Sequence, residues 1–293
     1  MIDKNLKLVF VGNRWNVLKN ILDLPFEMVA IFTQTNSFLE KELHLRRIKH
    51  INLTSKSEFI DQLKKLDYDI LVSNGCPYIL PISELSNGKK IFINVHPSLL
   101  PDLRGGNPIN GAILFDRPTG ATCHHMDDSV DMGSIISRVK VDRSQDLDLG
   151  LLYQLCFIAE AEAFLMAYKR NFRPLSKSNR KTNTIYYTRK ENDMLIDFNQ
   201  KVPELVRKIK AFGIPSQGAF FKFKDKVFRI MDARILNNKF LNKRMRTYRN
   251  GEVVLKYDDN MVVKLNNRLI RFIGLTGELN LIDVGQNIIN NNC

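Results

Sequence analysis

The run Leu6-Lys7-Leu8-Val9-Phe10-Val11-Gly12 decides how the chain is read. It is an almost unbroken series of apolar and β-branched residues that stops on glycine, the pattern of a strand buried on both faces of a parallel sheet. A helix near 17–24 follows, then a second apolar run over 27–33. An amphipathic helix over 57–66, opened by a serine cap, precedes a third strand over 69–73. Strand, helix and strand in repetition predict a doubly wound α/β sheet. A short helix near 83–85 leads to the strand 90–95 (KIFINV). Its C-terminal end delivers Asn94 and His96 to the sheet edge where open parallel sheets bind ligands.

Beyond that edge the pattern predicts a helix over 108–114. Two antiparallel strands over 120–126 and 133–141 follow, joined by the acidic loop 127–131. Apolar residues at helical spacing (Leu151, Leu152, Leu155, Ile158, Phe164, Leu165) predict a long helix over 147–168. The segment 38–50 reads as short and ordinary, and the polar stretch 174–193 reads as a linker. After a helix over 202–211, short β-like runs at 219–223, 227–231, 252–257, 261–265, 269–273 and 279–284 are separated by Gly and Asn/Asp turns. The expected organisation is an α/β, Rossmann-like mixed-sheet catalytic domain over 1–175. A linker and a smaller β-rich C-terminal domain occupy 176–293, with a frayed tail from 287.

Composition sets outer limits. With 293 residues, 44% hydrophobic and 26% charged, the chain can bury one sizeable core and a smaller one. The N-terminus has no apolar h-region or cleavage site. The longest apolar candidate for a membrane span, 159–168, is interrupted by Glu160 and Glu162, so the expectation is a cytoplasmic protein without membrane association. Four cysteines lie far apart with no C-x-x-C pair, which indicates neither a disulfide framework nor a zinc site, and no metal is expected. The net charge of +13 favours an anionic partner. RNA, an anionic membrane, and a phosphorylated substrate with a polyglutamylated cofactor all satisfy it.

The first glycine loop, Gly12-Asn13-Arg14, has one glycine where a dinucleotide fingerprint needs three, and no Walker lysine follows any glycine cluster. The chemistry-bearing segment runs from Asn94 to Ile136. It contains Asn94-Val95-His96-Pro97-Ser98-Leu99-Leu100-Pro101, Arg104-Gly105-Gly106-Asn107-Pro108, Gly120-Ala121-Thr122 and Asp131-Met132-Gly133-Ser134-Ile135. Asn94 and His96 alternate on one side of a strand end, and Pro97 and Pro101 stiffen the loop beyond them.

This segment resembles the signature of the folate-dependent formyltransferases: an Asn-x-His strand end, a Ser-Leu-Leu-Pro turn, an Arg-Gly and Pro loop, a Gly-x-Thr strand and an Asp-x-Gly-x-Ile turn. All five pieces occur in order. The resemblance implies that Asn94, His96 and Asp131 are catalytic and that N10-formyltetrahydrofolate donates a formyl group to a primary amine. Asn94 and His96 would hold the developing oxyanion, while Asp131 would fix the tautomer of His96 and help relay the proton. It places the folate against Gly75, Tyr78, Ile79, Leu80, Arg104 and Asp127. The acceptor falls along Pro97, Ser98, Gly105, Gly106, Asn107 and Pro215. His124 and His125 have no matched role and read as structural.

For the acceptor, the loop 73–81 and the segment 210–221 resemble the sugar-nucleotide branch of the family, which implies an amino-dideoxy sugar on dTDP in surface-polysaccharide (O-antigen) biosynthesis. The competing reading is a tRNA acceptor, from the basic run 234–249. Against it, the long Gly- and Lys-rich loop that tRNA enzymes carry after the second strand is missing. A non-catalytic folate- or nucleotide-binding module is the reading of another class, and a homodimer is compatible with the sequence.

Overall fold

The computed structural model describes residues 6–144, 146–175 and 183–289. The chain divides into two compact units. The first comprises Met1–Ile109, Pro118–Ser144 and Tyr153–Tyr187, and the second Asn110–Arg117, Gln145–Leu152 and Thr188–Cys293. The linker expected over 174–193 falls partly on 176–182, outside the described residues, as does the end of the tail.

Up to residue 169 the elements in chain order are β1 (Lys7–Gly12), α1 (Trp15–Leu22), β2 (Glu27–Gln34), α2 (Phe38–Leu45), β3 (Ile51–Leu53) and α3 (Lys56–Lys65). They continue with β4 (Ile70–Asn74), α4 (Ile82–Leu85), β5 (Ile91–His96), α5 (Pro108–Leu114), β6 (Thr119–His125), β7 (Ile135–Val141) and α6 (Leu149–Lys169). The strands form one seven-stranded sheet in the order β3-β2-β1-β4-β5-β6-β7. Pairing is parallel from β3 to β5 and antiparallel from β5 to β7. The mixed Rossmann-like sheet read from the sequence is therefore observed.

Both faces of β1 are covered, which is why its sequence does not alternate. Leu8 and Phe10 enter one apolar cluster with Ile70, Val72 and residues of α6, and Val9 and Val11 enter the other with Phe59 and Leu71. Helix α6 has the length and composition to cross a bilayer, although the sequence reading found no such stretch, because only two acidic residues interrupt it. In the fold it packs Ala159, Ala163, Phe164 and Ala167 into the core.

Several local expectations are corrected. The cap of α3 is Ser55, whose hydroxyl accepts from the Glu58 amide at 3.2 Å. Ser57 lies inside the helix, because the cap must stand three residues before the N–H it satisfies. The segment 38–50, for which the sequence predicted no element, holds α2, capped by Ser37 Oγ accepting from the Glu40 amide at 3.1 Å. The Ser-x-x-Glu spacing was the available signal. The expected strand over 279–284 is replaced at Leu279–Leu281 by a 3₁₀ turn held by the local bonds Leu279 N–H to Gly277 O and Leu281 N–H to Glu278 O.

The second unit contains α7 (Val202–Ala211), the two-stranded pair β8 (Ala219–Phe223) and β9 (Lys226–Ile230), and β10 (Asp232–Leu236). It continues with α8 (Lys239–Arg244), β11 (Val253–Tyr257), β12 (Asn260–Leu265) and β13 (Arg268–Ile273). A four-stranded antiparallel sheet runs β10-β13-β12-β11. Its core is rich in phenylalanine: Phe221 stacks on Phe228 at 5.4 Å, and Phe198 meets Phe221 edge-on at the same separation.

One buried charge pair in the first unit bears on stability. Arg14, just past β1, reaches Glu160 of α6 at 3.2 Å without a well-aligned hydrogen bond, and its guanidinium lies 4.0 Å over the Phe157 ring. The Glu160 side chain is fully buried. Burial pushes its carboxyl up from 4.5 to about 7, with Arg14 and Asn74 pulling partly back. The unfolded chain therefore ionises this group first as pH rises, so its contribution favours the native state most below about pH 4.5 and declines until about pH 7. We expect urea unfolding to show wild type losing about 2.5 kcal/mol relative to Glu160→Gln between pH 5 and 8. Parallel pH profiles for the two proteins would refute the assignment.

Candidate active site

The C-terminal end of β5 carries Asn94, partly exposed, and His96, buried at 6% exposure. The neighbouring strand β6 runs antiparallel, with Asn94 opposite His124 and His96 opposite Thr122. The pairing of β6 with β7 shifts register between Cys123 and His124, where β7 holds Ile136 as an extra residue. The unbroken β5–β6 register sets His124 beside Asn94, while His125, the next residue on the strand, turns away and bonds the Phe172 carbonyl through Nε2 at 2.9 Å. Gly133 permits the return of the acidic loop, since a Cβ there would stand 1.8 Å from the His125 carbonyl oxygen.

Asp131 lies at the centre of this group with a left-handed backbone (φ 53°), a conformation that costs a non-glycine residue about 1 kcal/mol. Its Oδ1 accepts from Asn94 Nδ2 at 3.2 Å and lies 3.6 Å from His124 Nε2 and 3.7 Å from His96 Nδ1. Its Oδ2 accepts from the Gly105 amide at 2.9 Å. Burial by itself raises the carboxyl, but His96, His124 and the Gly105 N–H outweigh it and hold Asp131 well below the usual carboxylate range. It is a buried anion at physiological pH.

The histidine tautomers follow from their other partners. His96 Nε2 sits 2.9 Å from the Leu103 carbonyl, which can only accept, so Nε2 carries the proton and Nδ1 carries a lone pair toward Asp131. The sequence reading gave tautomer control to Asp131. The Leu103 carbonyl exerts it instead, because a carboxylate 3.7 Å from Nδ1 makes no hydrogen bond with the neutral ring. Desolvation lowers the His96 pKa below its ordinary value despite Asp131 and Leu103, leaving the ring neutral. His124 Nδ1 lies 2.7 Å from the His125 carbonyl, so its Nε2 is an acceptor and takes the second amide hydrogen of Asn94 at 3.2 Å. Both hydrogens of the Asn94 amide are thus held, one by a carboxylate and one by an imidazole.

The loop that supplies Leu103 and Gly105 is itself held in place. Leu103 and Gly105 both have positive φ (57° and 101°), which turns one carbonyl and one N–H toward the cluster. Strand-like bonds from 185–187 fix this turn: Arg104 N–H to Ile185 O at 3.0 Å, Tyr187 N–H to Arg104 O at 2.8 Å and Asn107 N–H to Tyr187 O at 3.3 Å.

The structure brings some of the expected binding residues to this edge and withholds others. Gly75 (φ 77°) follows β4 directly. Tyr78 is half-buried and near the Phe59 ring, and Ile79 is 58% exposed, whereas Leu80 is taken by the core. The expected apolar slot is therefore left to Tyr78 and Ile79. The Arg104 guanidinium touches Met132 and bonds Thr184 Oγ1 at 3.4 Å, while its buried Nε has no hydrogen-bond partner. Asp127 is exposed and accepts from the Ser129 amide. Pro97 and Ser98 are buried, with the Ser98 hydroxyl bonded to the Asp102 carbonyl, while Gly106 is exposed and Gly105 and Asn107 are partly so. Pro215 is an exposed residue of the second unit. His124 is the site residue that sequence reasoning passed over.

With this geometry established, comparison with known proteins identifies the class. Residues 32–167 match the formyl transferase family and residues 189–279 the formyl transferase C-terminal domain, so the chain belongs to the formyltransferase family. It is similar to the methionyl-tRNA formyltransferase of Clostridioides difficile (strain 630), with 26% identity over 258 residues, covering 80% of this chain and 82% of that protein. Among solved structures it is similar to WlaRD, a sugar 3N-formyl transferase crystallised in the presence of dTDP and 5-N-formyl-THF. The TM-score is 0.68 at 19% identity, covering 91% of this chain and 97% of the other. It is also similar to an N-formyltransferase from Helicobacter canadensis in complex with folinic acid and dTDP-3-aminofucose. Here the TM-score is 0.66 at 17% identity, covering 91% and 98%. At these identities the structures speak for the fold, and the family matches bear out the resemblance read from the five motif pieces.

Removing the acceptor for one Asn94 hydrogen should loosen that amide. We expect His124→Ala to fold and to lower kcat about 10- to 100-fold, with the KM for the formyl donor changed much less. Unchanged kcat in steady-state assays would make His124 a packing residue only.

Proposed function

We propose that the chain transfers a formyl group from N10-formyltetrahydrofolate to the primary amine of a nucleotide-linked amino sugar, with a dTDP-linked amino-dideoxy sugar the favoured acceptor. The observation that carries the chemistry is the convergence of Asn94, His96 and Asp131 on one sheet edge within hydrogen-bonding or ion-pairing reach. The donor supplies the electrophilic carbonyl carbon. His96, neutral and with its lone pair on Nδ1, takes the proton from the attacking amine and returns it to the leaving nitrogen. Asp131 stabilises the imidazolium while it lasts, aided by the Leu103 carbonyl at Nε2. Asn94, partly exposed, shifts one of its two held hydrogens to the carbonyl oxygen as charge develops there, a gain smaller than the roughly 3 kcal/mol of an unengaged donor by the bond it gives up.

The residues at the edge fit a folate. Tyr78 and Ile79 offer a half-open apolar surface beside the Gly75 backbone, and Arg104 holds an unsatisfied donor for an anionic group. In favour of a small acceptor, only residues 35–37 connect β2 to α2, which leaves no long basic loop there. The likeness of fold to two sugar N-formyltransferases supports the same reading. A tRNA acceptor is favoured by the curated relatives and by one surface. Helix α8 carries Lys239, Lys243 and Arg244, with Phe240 at 63% exposure under the Arg244 guanidinium at 3.7 Å.

Offered N10-formyltetrahydrofolate, the enzyme should add the mass of a formyl group to a dTDP-amino sugar in a panel of dTDP-, UDP- and GDP-linked sugars. Charged initiator tRNA should remain unmodified. Product on tRNA alone, with binding that weakens steeply in salt and on neutralising Lys243, Arg244 and Arg246, would reverse the assignment. Asp131→Asn should cut turnover at least about 100-fold while donor binding persists. The acid limb of kcat/KM that belongs to His96 should have its midpoint below 6.5, because burial lowers that pKa.

A further inference from the structure

Away from the Asn94 cluster, the connection from α2 to β3 gathers two imidazoles and a carboxylate. Glu40, in the first turn of α2, is 7% exposed, and both its oxygens are fixed. Oε2 accepts from the Asn36 amide, and Oε1 accepts from Asn52 Nδ2 at 2.6 Å. His44 stands one helical turn on, with Nε2 at 3.9 Å from Glu40 Oε1. His50, beyond the end of the helix, places its ring 4.7 Å from that of His44 at 83°. One ligand-capable atom from each of the three residues lies within 4.8 Å of the other two.

From this cluster we infer that Glu40, His44 and His50 form a binding site for one late first-row divalent ion, of which zinc is the physiological candidate. Two imidazoles and a carboxylate suit zinc, cobalt, nickel and copper, and not calcium or magnesium, which want oxygen alone. The surrounding shell has the matching form. His50 Nδ1 is 3.0 Å from the Ile48 carbonyl, which assigns the proton to Nδ1 and leaves the lone pair on Nε2. A carbonyl behind a ligating histidine fixes its tautomer and strengthens it as a donor, and Asn52 does the corresponding service for Glu40. The burial is graded, with Glu40 buried, His50 half-buried and the His44 side chain 69% exposed. An ion can therefore enter from solvent and keep water at its open position. Only modest side-chain movement is needed, because bonds of about 2.0–2.2 Å bring tetrahedral ligands to less than 4 Å from one another.

The ion would join the first turn of α2 to the chain entering β3. The sequence reading looked for cysteine and histidine at short regular spacing. It had no reason to join Glu40 to His50, which the end of a helix brings together.

The test uses the untagged full chain stripped of metal and titrated with CoCl2, followed by its visible d–d absorption, and with ZnCl2 by calorimetry. One equivalent should bind, and zinc should raise the melting temperature by roughly 5 °C. His44→Ala and His50→Ala should each weaken binding at least about 10-fold and abolish the thermal shift. His44→Ala, altering an exposed side chain, should melt like the metal-free wild type. Co2+ binding of equal affinity in both variants, or no thermal shift in wild type at a tenfold excess of zinc, would overturn the inference.

Discussion

An ionised carboxylate with only 9% of its side chain exposed has to be surrounded by donors, and the first unit is organised around meeting that requirement at Asp131. The donors come from two places apart in sequence. Asn94 comes from the end of β5, where His124 Nε2 holds its other hydrogen, and Gly105 contributes a backbone N–H from the loop between β5 and α5. Removing either donor leaves a buried charge short of a partner, which costs more than the bond itself contributes to stability. Elements that look incidental to the cluster are therefore constrained by it: the β5–β6 register at His124, the glycine at 133, and the left-handed turns at Leu103 and Asp131.

The same arrangement leaves one buried imidazole neutral, with its lone pair on Nδ1. Leu103 accepts the Nε2 proton of His96, and desolvation disfavours the charged ring, so the resting state is neutral with its lone pair on Nδ1. The nearby anion does not bond that lone pair. It becomes a close ion-pair partner only after the ring gains a proton, an interaction stronger in the charged state than in the resting one. The pairing of 185–187 with Arg104 and Asn107 keeps this geometry from relaxing, because the carbonyl and the N–H that define it lie on a loop that is not part of the sheet.

The acceptor question is set by different physics. In the proposed mechanism the Asn94, His96 and Asp131 cluster meets only the amine and the formyl group, so it carries no information on the rest of the acceptor. A chain of net charge +13 attracts a nucleoside diphosphate and an RNA alike. Curated relatives of one acceptor class and solved structures of another both resemble the chain. This is the expected outcome when a fold and its reaction persist while the recognition surface diverges.

Much was legible in the residues themselves. The short, nearly unbroken apolar runs of β1 and β4, rich in β-branched residues and closed by glycine or polar residues, read as strands covered on both faces. The Asn-x-His strand end with its downstream Asp-x-Gly turn marked the reaction because each piece is local and its order is linear. Other features depended on neighbours that sequence does not supply. His124 became part of the site through the strand register that sets it opposite Asn94. Leu103 took over the tautomer of His96 because a loop folded back, and Leu80 was claimed by the core. Glu40 and His50 met across a helix end. Periodicity and short motifs are written along the chain, so the sequence determines them; which donor faces which acceptor is a matter of distances across the chain, and only the packed structure decides it.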